Sequence, residues 1–192
     1  MNAEMDRLSM LIIALLRKAA GKALTKTQLI KLVFFCDLEA ARQNKPLITE
    51  CRYRTDQHGV VDYRIWDQAV KLSTVDEGLI VNEGTNPFGA PQTSVRMAND
   101  TFPETPDEIK QIVDKVWLKF GNWTASQLGA ETHKLVPMDD EWENGVPVDP
   151  RDIAYEESDE FQKGCEDALR NYPENHTEAI PVEKYLEELG VD

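Results

Sequence analysis

Cysteine is scarce in this 192-residue chain: Cys36, Cys51 and Cys165 are odd in number, scattered and never paired as CxxC. That excludes a disulfide framework and leaves no CxxC metal spacing. Long hydrophobic runs are missing too. The stretch Leu8 to Leu16 is apolar apart from Ser9 and far too short to span a bilayer. Glu4 and Asp6 precede it and Arg17 and Lys18 follow it, the reverse of a signal peptide's flanks. A cytoplasmic protein with no membrane association is expected. The ten glycines are dispersed, and none stands at phosphate-loop spacing before a lysine–serine pair. Basic residues form no stripe interleaved with aromatics, so no nucleic-acid surface is expected.

Charge of one sign is missing only locally. Residues 1–137 hold 17 acidic and 17 basic side chains, whereas residues 138–192 hold 18 acidic and 4 basic ones. The last third therefore carries the whole net charge of −14. Such a segment is repelled by phosphate backbones and anionic lipid. It keeps the protein soluble, or it faces a basic protein partner.

What is present centres on residues 24–66. Thr25-x-x-Gln28 is a capping-box pattern. Leu29, Leu32, Val33, Cys36 and Ala40 then recur at helical spacing, and Ile30, Phe34, Phe35 and Leu38 widen the stripe. A helix over about 25–43 that is apolar on most sides belongs in the middle of a domain. Asn44-Lys45-Pro46 ends it. Ile48 to Arg54 alternates imperfectly and reads as a short strand or extended segment, and Gln57-His58-Gly59 as a turn into a helix carrying Val61, Ile65, Trp66 and Val70. An amphipathic helix over 3–20 precedes this stretch, with Gly21 as its left-handed cap.

Beyond Leu72 the pattern changes. Leu79-Ile80-Val81 and Thr93 to Met97 predict a hairpin, a β-prone insertion over about 74–100. Thr105-Pro106-Asp107-Glu108 predicts a helix start with Thr105 as N-cap, and Gly121 its end. Thr124-x-x-Gln127 caps a further helix ended by Pro137. A polar helix over about 152–171 and a short one from Pro181 complete the chain. The fold class expected is mainly α: one compact helical domain, 1–145, with a small β-hairpin insertion and an acidic helical extension, 146–192.

Candidate chemistry is thin. His133 beside Glu131 has the makings of a general base, but no nucleophile or second ligand stands nearby, so hydrogen bonding between helices is the expected role. A Cys36–histidine dyad needs an exposed thiol, and Phe34, Phe35 and Leu38 surround Cys36. Asp139, Asp140, Glu141 and Glu143 lack the spacing and loop glycine of a calcium loop. His58 reads as a local hydrogen-bonder in its turn, and His176 as a solvated tail residue. No catalytic residue, metal or cofactor is expected, and the protein is expected not to be an enzyme. Arg52, Tyr53, Arg54, His58, Tyr63 and Trp66 gather arginine and aromatic residues around Gly59, types enriched at interface hot spots, and are candidate partner contacts, Trp66 being equally suited to the core.

Three motifs in order carry a family resemblance: the KLVFFCD helix with Lys31 and Asp37, the Gly59-Val60-Val61 turn into a helix with Tyr63 and Trp66, and Thr132-His133 before Pro137. Together, over about residues 8–145, they resemble the Panacea domain of SocA-like antitoxins and phage-associated proteins. Val60 and Met138 stand where that family usually has proline and tryptophan. The resemblance implies a mostly helical antitoxin that neutralises a protein toxin encoded beside it. Lys31, Asp37, Gly59, Thr132, His133 and Pro137 are the motif residues, with structural roles expected. Two other readings are an adapter that hands a partner to a cellular protease and an acidic inhibitor that mimics DNA.

Overall fold

The structure, a computed structural model, describes residues 5–75, 77–86, 88–136 and 145–171. Pro137, the acids at 139–143, His176 and the helix expected from Pro181 lie outside the described residues. The chain falls into two compact units that divide between Tyr155 and Glu156.

In the first unit, helix α1 (Arg7–Lys18) opens where the Asp6 carboxylate accepts from the Ser9 amide and hydroxyl. It buries Leu11, Ile12, Leu15 and Leu16, and ends in Ala20 and Gly21, both left-handed. Helix α2 (Lys26–Arg42) begins with the expected capping box, Thr25 and Gln28 satisfying each other's amides at 3.0 and 3.2 Å. Twelve of its seventeen residues are buried, as an all-round apolar sequence requires. Around it pack α1, α3 (Arg64–Val75), α4 (Asp107–Phe120) and α5 (Ala125–Leu135). Phe35 of α2 stacks on Phe120 of α4 with ring centres 4.2 Å apart, and Phe120 meets Trp123 edge-on.

The hairpin forms from β3 (Leu79–Thr85) and β4 (Pro91–Met97), with Val81 opposite Val95. Asn86 closes its turn by accepting from the Phe88 and Ala90 amides. It has a third strand: β1 (Leu24–Thr25) pairs antiparallel with β4, so the residues that cap α2 also tie it to the sheet. Two residues carry no alternation, which is why the sequence gives no sign of this strand.

Three expectations are corrected. Of the short strand or extended segment expected over 48–54 only β2 (Tyr53–Arg54) pairs as a strand, with β5 (Pro147–Val148), because a buried carboxylate takes the Ile48 and Thr49 amides. Thr105 does not cap α4; Pro106 occupies that place, and the buried Thr105 hydroxyl accepts from Arg17. Arg17 also donates to Asp100 and to the Phe102 and Pro103 carbonyls, fastening that loop to α1. The helix expected over 152–171 is two, α6 (Pro150–Glu156) and α7 (Asp159–Asn171). Ile153 belongs to the first unit's core at 7% exposure. In the second unit the Ser158 hydroxyl accepts from the Phe161 amide at the start of α7, and Cys165 is exposed.

Candidate partner-binding site

Asp37 is fully buried in α2, and its carboxylate accepts from the Ile48 amide (2.8 Å), the Thr49 amide (3.0 Å), the Thr49 hydroxyl (2.5 Å) and the Tyr53 hydroxyl (2.7 Å). Burial raises its pKa, and the four donors partly oppose that. One acid of the KLVFFCD motif thus holds residues 48–53 against the helix. Thr49, a partner in this cluster, is a residue the sequence reading did not single out.

Lys31, six residues earlier, is also fully buried and donates to the Val60 carbonyl at 2.6 Å. Burial pulls its pKa down to about 7, with Asp56 acting in the opposite direction. Gly59 is left-handed (φ 84°), and a Cβ there would lie 2.1 Å from Thr132 Oγ1, 3.1 Å from Lys31 Nζ and 3.2 Å from the Gly129 carbonyl. The Thr132 hydroxyl, fully buried, donates to that same carbonyl at 2.8 Å. Lys31, Gly59 and Thr132, distant in sequence, meet at one point between α2, the turn and α5.

The six candidate contact residues separate by burial. Arg52, Arg54, His58 and Tyr63 are exposed around the Gly59 turn. Tyr53, expected beside them as a contact, is instead a core residue at 3% exposure, and Trp66, for which a core position was the equal alternative, takes that position at 8%. Tyr53 turns inward because its hydroxyl has Asp37 to bond and its ring packs edge-on against Phe34. Trp66 lies on the face of α3 that also buries Ile65 and Ala69. The Tyr63 hydroxyl donates to Asp56 at 3.0 Å, and Lys26 Nζ sits 4.8 Å above its ring.

His133 does not bridge helices as expected: its ring makes no hydrogen bond among the described residues and lines an open cavity of about 700 Å³. Its pKa is lowered by partial burial and by the nearby charges of Lys31 and His58. Glu131, its neighbour in sequence, pairs with Lys134 instead. Cys36 is wholly enclosed, and burial pushes its thiol well above the usual range, with Asp37 and Glu39 adding to the effect, so it is no nucleophile. Among the described residues no group of three or more His, Cys, Asp or Glu side chains is placed to hold a metal ion. No described helix is long and apolar enough to cross a membrane.

Fold and site together define a mainly helical domain whose central helix uses one buried acid and one buried amine to fasten the segment that follows it. The chain belongs to the antitoxin SocA-like, Panacea domain family, whose model matches residues 29–137. The match runs from Leu29 in α2 to Pro137 and contains all three motifs, with α1 and the α2 cap outside it. No curated protein and no solved structure matches the chain significantly.

Proposed function

We propose that this protein is an antitoxin that neutralises a cognate protein toxin, encoded by a neighbouring gene, by binding it directly in the cytoplasm. Membership of the antitoxin SocA-like family carries the reading. The motif residues support it in a specific way: Lys31, Asp37, Gly59 and Thr132 are spent on internal fastening. What that fastening presents is a turn with exposed Arg52, Arg54, His58 and Tyr63, side chains suited to a protein interface. The protein acts by occlusion, without turnover.

Co-expression with each flanking gene tests the reading. Rescue of growth together with a complex that survives purification is the expected result. Rescue accompanied by faster loss of the toxin, with no stable complex, would replace occlusion by delivery to a protease. Absence of any toxic neighbour would overturn the antitoxin reading itself.

A further inference from the structure

Strand β3 is an edge of its sheet, whose strand order is β1-β4-β3. Its seven residues pair with β4 without a bulge, over about 24 Å at the usual rise per residue. The Ala98 amide donates to the Gly78 carbonyl and the Asn86 amide to the Ala90 carbonyl, so the even-numbered residues of β3 face β4. The main-chain groups of Val81, Glu83 and Thr85 therefore point away from β4, and among the described residues they have no hydrogen-bond partner. Little guards this edge: β3 has no lysine, proline or bulge, and a single charge, Glu83.

The outer half of the hairpin also lacks support. β1 pairs only with Ser94 and Val95, so beyond them the hairpin has two strands. Residues 82–85 of β3 and Pro91 and Gln92 of β4 are exposed, so neither face of this half packs on the body. A two-stranded ribbon is marginal in water by itself, and a further strand stabilises it. At the tip the Phe88 ring is 94% exposed.

We propose that β3 is a dimerisation edge, pairing antiparallel with β3 of a second copy so that two three-stranded sheets join as one of six strands. The open groups are main-chain donors and acceptors, so they call for an extended strand, and a two-fold axis lets the same edge serve both copies. Three observations favour a second copy over the toxin. Among the described residues the 700 Å³ cavity beside the Gly59 turn is lined by Asn86 and Ala90 to Thr93 of the hairpin but by no residue of β3, so pairing at β3 leaves the turn free. Residues 1–137 hold equal numbers of acidic and basic side chains, so two such bodies meet without net repulsion. Antiparallel pairing also sets the tip of each hairpin beside the base of the other, which covers both Phe88 rings at once. Glu83 meets its own copy directly only in the one register centred on it. The contact is small for a protein interface, so the dimer dissociates on dilution. The proposal is independent of the antitoxin reading: it concerns the isolated protein and requires no toxin.

Sedimentation velocity of the full chain over a dilution series, with amide exchange followed by NMR at both ends of the series, tests it. The expected result is a reversible monomer–dimer equilibrium in which the Val81, Glu83 and Thr85 amides gain protection as the dimer forms. The Ile80, Asn82 and Gly84 amides, already bonded to β4, should change little. Glu83→Pro removes an outward N–H that the monomer does not use, and Phe88→Ser alters the tip without touching the ladder. Each should weaken dimerisation at least tenfold and leave the melting temperature of the monomer unchanged. A chain that stays monomeric throughout would overturn the proposal, as would a dimer whose three outward amides exchange as fast as in the monomer. Protection of those amides only when a flanking gene's product is bound would assign the edge to that partner and overturn the second copy.

Discussion

A methyl group added to Gly59 would sit 2.1 Å from the Thr132 hydroxyl oxygen, so the turn and α5 approach as closely as a missing side chain permits. Gly59→Ala adds that collision to a left-handed φ of 84°, which alone costs a non-glycine residue about 1–2 kcal/mol. With overpacking of a further ~1–3 kcal/mol, the variant should lose roughly 2–5 kcal/mol in urea denaturation. Thr132→Ala in the same chain should recover the steric part and leave the backbone part. A double variant no more stable than Gly59→Ala would show that the contact is not what fixes glycine here.

Asp37→Ala strips the acceptor from two buried amides and two hydroxyls. Each buried donor left unsatisfied costs about 1–3 kcal/mol, and the hydroxyls can turn elsewhere. An overall loss on the order of 3 kcal/mol is expected, with faster amide exchange at Ile48 and Thr49. A loss below about 1 kcal/mol would mean that the 48–53 segment is held by its other contacts.

Lys31 should leave a mark on the pH dependence of stability. Its folded pKa is lowered to about 7, while the unfolded chain keeps the proton to about pH 10.4. Between those values the unfolded state binds more protons, so stability rises with pH; below about pH 7 the slope vanishes. Denaturation of wild type and Lys31→Met from pH 6 to pH 10 should show the upward slope in the wild type and a flatter profile in the variant. Parallel profiles would mean that the buried amine is not the group titrating.

Burial divides the six candidate contacts into two classes that behave differently on mutation. Arg52→Ala with Arg54→Ala should weaken toxin binding at least tenfold, about 1.4 kcal/mol, with the melting temperature unchanged. Tyr53→Phe should do the reverse: it loses a hydrogen bond to a buried carboxylate worth about 1.5–3 kcal/mol and leaves affinity as it was. Calorimetry of binding and of unfolding on both variants separates the two. Affinity unaffected by the arginine pair would place the interface elsewhere.

The local rules were legible in the sequence. Thr25 and Thr124 announced two capping boxes, and the apolar periphery of KLVFFCD announced a helix central to its domain. What sequence spacing could not convey was where long-range partners would be spent. Thr105 looks like a cap because threonine before proline and two acids favours one, yet Arg17, 88 residues away, takes its hydroxyl. Tyr53 looks like an interface residue by type, yet a carboxylate 16 residues earlier in α2 draws it inward. The cavity gathers residues from around positions 26, 58, 92, 126 and 133, and no local pattern connects them.

Direct binding is tested by the fate of the toxin in cells rescued by this protein. Size-exclusion chromatography of the co-expressed pair, with toxin abundance followed after synthesis is stopped, reads both terms at once. Neutralisation by occlusion gives one co-eluting complex and a toxin that persists undegraded and inactive. A toxin that disappears while the antitoxin elutes alone would contradict it.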